Sequence, residues 1–205
     1  MAELNAGAWT AIVAAGDRPG GDGLAAHFGE ASKALIPVGG QSMLSRVART
    51  LLSSPHVARV VILSQKKEPL IAKPDTQWLA NEPRVSFAQS QASLSQSLSR
   101  LAGTAAAPWP VMVTTADHPL LTVEMIDAFL RGAEDADLCV GFVERQTMLP
   151  RFAENKRTWL RFKGGDYSGA NLFAFRGPEV QRALALWTEV EASRKSPRII
   201  FSHFG

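Results

Sequence analysis

The sequence predicts an α/β fold: a three-layer, mostly parallel, doubly wound sheet with helices on both faces. Two observations carry this expectation. Short apolar runs alternate with segments whose apolar residues recur at helical spacing, the pattern of strands joined by crossover helices. The two conspicuous polar features, a glycine-rich loop near the N-terminus and Asp117, each follow an apolar run directly. Open sheets of this class bind ligands just beyond the C-terminal ends of their strands.

The elements follow in order. Residues 9–15, WTAIVAA, read as a buried strand, and "AAGDRPGGDG" at 14–23 as the loop leaving it. Apolar residues at 43, 44, 47, 48, 51 and 52 give a helix over 43–52. A second buried strand covers 58–64, and a helix is expected over 71–80 after the break at Pro69. A short strand at 84–88 precedes a helix marked by Leu94, Leu98 and Leu101, with Ser93 as its N-cap. "WPVMVTTA" is a strand ending at Asp117, and 122–132 is a helix capped by Thr122. "ADLCVGFVE" is a strand, 145–167 is irregular and rich in Arg and Lys, "GANLFAF" is a further strand, and a proline opens a helix over 178–190.

Composition sets the outer limits. A chain of 205 residues suits one domain over 1–205, and 46% hydrophobic residues suffice for a full core. A formal charge of +3 without a dense Lys/Arg block fits a small anionic substrate and not nucleic acid. Cys139 is the only cysteine, which excludes an internal disulfide and a cysteine-based zinc site. The opening "MAELNAGAW" has an acidic residue and no long apolar core, so it is not read as a signal peptide. No apolar stretch approaches the roughly 20 residues that span a bilayer. A soluble cytoplasmic protein is expected.

The loop at 14–23 is the first candidate for chemistry. A P-loop needs a lysine where Asp22 stands, and the dinucleotide pattern beginning at Gly21 ends on Ala26. A third template fits better: a strand, a small-small-Gly turn, an Arg, then a Lys and a P-x-x-G segment. Small residues let backbone N–H groups approach phosphate oxygens. Arg18 would clamp a phosphate through two parallel bonds, and Lys33 would neutralise phosphate charge. A surface loop with solvated Arg18 and Lys33 accounts for the same residues.

On these residues the chain resembles the MobA-like NTP transferases, within the wider sugar-nucleotidyltransferase class on a GT-A type fold. Ala14, Ala15, Gly16, Arg18, Lys33, the segment 37–40 and Met43-Leu44-Ser45-Arg46-Val47 fill that family's opening slots. "SQASLSQSLSRL" is similar to the segment that lies beside base and ribose, which implies nucleotide contacts from Ser93 and Ser97. A helix N-terminus there would offer N–H groups to an anion; Ser93 is equally a plain helix cap. "VMVTTADHPLLTVEMIDAFL" resembles the segment whose aspartate holds the metal, which implies Mg²⁺ on Asp117; the other account of Asp117 is a turn before Pro119. His118 is read as a packing or turn residue. "GDYSGANLFAF" resembles the late strand near the acceptor, which implies Tyr167, Ser168 and Asn171 as acceptor contacts. Arg145, Arg151, Lys156, Arg157, Arg161 and Lys163 would bind an acceptor phosphate or form a solvated face.

Two departures stand out. Extra residues, including 21–29, separate Arg18 from Lys33. The family's closing aspartate segment has no counterpart before "RIIFSHFG", so either the domain is C-terminally shortened or the second metal ligand comes from elsewhere, with Asp166 the candidate. The resemblance implies a Mg²⁺-dependent nucleotidyltransferase. It would join an NMP from an NTP to a phosphorylated acceptor (sugar phosphate, polyol phosphate or molybdopterin) and release pyrophosphate, with Arg18, Lys33 and Asp117 catalytic. The alternative is a catalytically weak nucleotide-binding or regulatory protein on the same fold. A nicotinamide-dependent oxidoreductase is disfavoured by the loop spacing.

Overall fold

The computed structural model describes residues 9–17 and 20–193. Along the chain come β1 (Trp9–Ala14), α1 (Gly23–His27), the hairpin of β2 (Pro37–Val38) and β3 (Gln41–Ser42), and α2 (Met43–Ser53). Then follow β4 (Val57–Ser64), β5 (Val85–Gln89), α3 (Leu94–Leu101), β6 (Val111–Thr115) and α4 (Val123–Gly132). The chain continues through β7 (Leu138–Glu144), α5 (Arg145–Met148), β8 (Leu160–Phe162), β9 (Gly165–Phe175) and α6 (Gln181–Ser193).

The main sheet has seven strands in the order β5-β4-β1-β6-β9-β7, with β8 on β9. β1 runs parallel to β4 and β6, and β4 parallel to β5. β9 runs against β6, β7 and β8, so it alone is reversed. The central strands are buried on both faces. Ala11, Val13, Val60 and Ile62 enter one core, while Ile12, Val61 and Leu63 enter the other. Burial on both faces is why these strands read as unbroken apolar runs instead of alternating ones. Helix α2 (Leu44, Val47, Leu51) and helix α4 (Ile126, Leu130) fill the first core; α3 (Leu98) and α6 (Leu184) fill the second. The three-layer arrangement is the one the sequence predicts. Both expected caps form: Ser93 Oγ accepts from Gln96 N at 3.3 Å, and Thr122 Oγ1 from Met125 N at 3.2 Å.

Three segments differ from expectation. No helix forms over 71–80; two short 3₁₀ turns, Pro69–Ile71 and Gln77–Ala80, stand there instead. Pro74 lacks an N–H and pushes the preceding residue away from helical backbone. Asp75 then ties the segment to the start of α2: its carboxylate accepts from Ser42 N at 2.7 Å, and its carbonyl accepts from Ser45 Oγ at 2.8 Å. The stretch 145–167 is not wholly irregular, since it contains α5 and β8. The proline at 178 opens a 3₁₀ turn, Pro178–Val180, and α6 follows it. No helix among the described residues is long and apolar enough to cross a membrane.

The parallel strands deliver their C-terminal ends to one rim. The β6–β9 register runs from Val111↔Phe175 to Thr114↔Leu172, and β7 pairs Glu144 with Tyr167. The reversed strand therefore begins at the rim where β6 and β7 end. Everything between β7 and β9 is carried to the same edge as Asp117.

Candidate active site

A cavity of about 620 Å³ opens at this rim. Its floor is the turn leaving β1: Ala14, Ala15, Gly16 and Asp17. Gln65, the first residue past β4, braces that turn. Its Oε1 accepts from Asp17 N at 3.0 Å and its Nε2 donates to Asp17 O at 2.9 Å, imitating one rung of a sheet ladder. A Cβ on residue 16 would meet this amide at 3.2 Å, so glycine keeps the brace in place. The Asp17 carboxylate accepts from Ser32 Oγ at 2.9 Å, and Ser32 caps the 3₁₀ turn that presents Lys33. One line of hydrogen bonds thus runs from the end of β4, through the β1 loop, to the segment carrying Lys33. Gln65→Ala is expected to cost about 1 kcal/mol or less of stability, since the bonds are solvent-exposed, and to free the loop leaving β1; denaturant unfolding and hydrogen exchange of the loop amides measure the two.

Lys33 Nζ donates to Asp117 Oδ2 across the cavity. Asp117 stands two residues past β6, placed there by the Ala116 N–Ala14 O bond of 2.9 Å that extends the β1–β6 pairing. Burial alone would raise its carboxyl. The hydrogen bond from Lys33, the Thr115 hydroxyl beside it and the Lys33 charge outweigh burial and hold it below its ordinary 3.8. A carboxyl lowered in the folded state stabilises the fold above its unfolded value, and that contribution is lost as pH falls through the folded value. In chelator, the stability lost in Asp117→Asn is therefore expected to shrink as pH drops below 3.8, read by denaturant unfolding across the acid range.

The far wall comes from the β5–α3 loop. Ser93 and Ser97 line the cavity with Ser90, Gln91 and Leu94. Ser97 Oγ donates to Ser93 O at 2.7 Å and accepts from Gln91 N at 2.8 Å, so it pins the loop. The N-terminus of α3, expected to offer N–H groups to an anion, is engaged in part within the protein, and Ser93 Oγ takes the Gln96 N–H. Glu191 Oε2, from α6, accepts from both Ser95 N and Ser95 Oγ. Asp22, also on the wall, is committed to capping α1 through Leu24 N and Ala25 N at 2.9 and 3.2 Å. Among the described lining residues, Lys33 is the only lysine or arginine, against the carboxylates of Asp17, Asp22, Asp117 and Glu191.

The expected site residues divide. Ala14, Ala15, Gly16, Lys33, Ser93, Ser97 and Asp117 meet around one cavity. Arg18 lies outside the described residues. Tyr167, Ser168 and Asn171 are not on the cavity wall. Ser168 Oγ accepts from Arg157 Nε at 3.0 Å, and Arg157 also donates to Gly169 O. Asn171 adopts a left-handed backbone, φ 53°, where the β7–β9 register shifts, a conformation that asparagine tolerates. The Tyr167 ring packs edge-on against Phe162 at 5.8 Å. His118 lies 3.4 Å from Thr114 Oγ1. Burial holds its imidazole below the ordinary 6.5; Asp117 opposes this and Arg157 adds to it. Arg157 therefore acts electrostatically on the residue next to Asp117. The proposed substitute carboxylate, Asp166, pairs instead with Arg145 at 3.1 Å and does not reach the cavity wall.

Sequence reasoning missed Gln65 and Glu191. Gln65 was findable, being the first polar side chain past an apolar strand. Glu191 had no local signal; only the packing of α6 on α3 brings it to the wall.

Fold and site together define a member of the nucleotidyltransferase class. The MobA-like NTP transferase domain matches residues 11–175, and the chain belongs to that family. Among solved structures, it resembles a hypothetical transferase from Thermus thermophilus at 27% identity and a TM-score of 0.76, covering 97% of this chain and 78% of that one. It also shares the fold of 4-diphosphocytidyl-2C-methyl-D-erythritol synthase from Anaerococcus prevotii, at 11% identity and TM-score 0.62 over 91% of this chain and 77% of that one. CMP:2-keto-3-deoxy-manno-octonic acid synthetase, solved with CTP, matches at 13% identity and TM-score 0.59 over 97% and 86%. No curated protein matches the chain by sequence.

Proposed function

We propose that this chain is a Mg²⁺-dependent nucleotidyltransferase, which transfers the NMP unit of an NTP to a small phosphorylated acceptor in the cytoplasm. The observation that carries this is the convergence of the β1 turn, Lys33 and Asp117 on one cavity whose described wall carries more carboxylates than cations. Such a wall repels a bare triphosphate and accepts one whose charge is neutralised by a metal ion.

The donor set fits Mg²⁺. Among the described residues no group of three or more His, Cys, Asp or Glu could hold a metal. A single carboxylate suits an ion that keeps most of its waters and takes phosphate oxygens. Asp117 would hold it, and bound there Mg²⁺ would neutralise charge developing on the phosphates. The backbone N–H groups of Ala15 and Gly16 would hold phosphate oxygens. Lys33 would exchange its bond to Asp117 for one to a phosphate, and Arg18 would clamp the same group. An oxygen of the acceptor phosphate attacks the α-phosphorus, and the bond to pyrophosphate breaks. That oxygen is already anionic, so no general base is required, and the depressed His118 imidazole is not needed as one. Arg157 and Ser168, with Tyr167 and Asn171, would form the acceptor side, where Arg157 would supply the cation for an acceptor phosphate. A sugar phosphate, a polyol phosphate and molybdopterin all fit that chemistry.

Calorimetric titration with ATP, GTP, CTP and UTP, with Mg²⁺ and in chelator, tests the reading; pyrophosphate release with each acceptor class follows. Metal-dependent binding of a nucleotide with pyrophosphate release is expected. Failure of every nucleotide to bind sinks it. The second reading, a nucleotide-binding protein of weak activity, draws on Asp166, which is held by Arg145 and leaves Asp117 without a carboxylate partner from β9. Tight metal-dependent binding without pyrophosphate release would select it.

A further inference from the structure

We propose that Glu191 sets the nucleoside end of the cavity: its carboxylate accepts a hydrogen bond from a neutral donor of the nucleoside, a ribose hydroxyl or a base amino group, and keeps phosphate away from the N-terminus of α3. The proposal rests on the nucleotide reading above and adds a specificity residue that the motif segments do not contain.

Strand order fixes which end is which. Lys33 and Asp117 meet over the exits of β1 and β6, whereas the loop leading to α3 follows β5. β4 lies between β5 and β1. At about 4.8 Å per strand, the α3 wall stands on the order of 10–15 Å from the Lys33–Asp117 pair. A nucleotide whose phosphates meet Lys33 therefore brings its sugar and base toward α3.

The chemistry of that wall excludes phosphate. The partial positive charge of a helix N-terminus ordinarily attracts an anion. Here Glu191 Oε2 takes the Ser95 N–H and hydroxyl, so the protein's own carboxylate occupies the place. Thr188, one turn earlier on α6, lies 2.9 Å from the same Ser95 hydroxyl and fixes the contact. A second anion beside Glu191 would meet like charge. The other oxygen, Oε1, has no hydrogen-bond partner among the described residues, and Glu191 is on the cavity wall and only partly covered. An ionised carboxylate only accepts hydrogen bonds. It matches hydroxyl and amino donors, as acidic residues do for ribose hydroxyls in dinucleotide folds.

The test compares parent, Glu191→Ala and Glu191→Gln by calorimetry in Mg²⁺. The ligands are the four NTPs, the 2′-deoxy and 3′-deoxy forms of the tightest binder, and inorganic tripolyphosphate. Glu191→Ala is expected to weaken NTP binding about tenfold without weakening tripolyphosphate, and Glu191→Gln to do the same in smaller measure. Deleting the responsible hydroxyl from the ligand should cost the parent about tenfold and the variant little, because the partner is already gone. If the loss instead falls on ATP, GTP and CTP but not UTP, the donor is a base amino group. Equal weakening of tripolyphosphate, unchanged NTP binding or tighter NTP binding in Glu191→Ala overturns the proposal. A parent that binds no nucleotide overturns the functional reading, and this proposal with it; binding in the parent with unchanged variants overturns this proposal alone.

Discussion

Asp117→Ala is expected to lower metal-dependent pyrophosphate release by about 100- to 1,000-fold, the scale of losing one preorganised electrostatic contact in a transition state. Asp117 is the one carboxylate past β6 that the β1–β6 pairing holds against the glycine turn. Its present partner is Lys33, and with the carboxylate gone that lysine loses its anchor as well. Activity should become insensitive to Mg²⁺ concentration, and calorimetry should show the metal-dependent part of nucleotide binding gone. Because the carboxyl is not fully buried, with a side chain 30% exposed, the fold should tolerate the change. Retention of Mg²⁺-dependent turnover in a folded Asp117→Ala protein would remove Asp117 from the chemistry.

Lys33→Met is expected to separate two quantities that Asp117→Ala lowers together. Turnover should fall about 100-fold, because the methionine cannot neutralise a phosphate oxygen. Binding of Mg²⁺ in the absence of nucleotide should strengthen, because the ammonium that competes for Asp117 is absent. Stability should move by about 1 kcal/mol or less, in line with a partly exposed pair. The double variant should lose little beyond Asp117→Ala, since residues that act as one unit are non-additive. Weaker Mg²⁺ binding in Lys33→Met would mean that the lysine positions the carboxylate and does not compete for it.

Legibility in the sequence follows burial. β1 and β4 are covered on both faces, so apolar runs mark them, and α2 and α4 have one covered face, so helical spacing marks them. β8 is exposed at every residue, and Leu160-Arg161-Phe162 carries no burial pattern. The 71–80 segment has helical apolar spacing, but Pro74 and the tertiary bonds of Asp75 decide its shape. The direction of β9 is set by which neighbours it pairs with, which no local pattern records. At the site, Gly16, Lys33 and Asp117 are legible because each stands at a strand end or follows its loop. Ser97 reaches the cavity wall, and its bonds to the Ser93 carbonyl and the Gln91 N–H are tertiary detail that no local pattern records. Glu191 depends on the meeting of two helices nearly a hundred residues apart in sequence.

The reversal of β9 makes the rim modular. One uninterrupted stretch, 145–169, reaches the rim beside Asp117 and contributes no residue to the cavity wall that holds Lys33, Ser93 and Glu191. Substitutions within that segment would therefore leave the described lining of the cavity unchanged. If the proposed function holds, exchanging 145–169 with a relative is expected to move the acceptor preference while nucleotide binding stays as it was, read by pyrophosphate release across acceptors and by calorimetry.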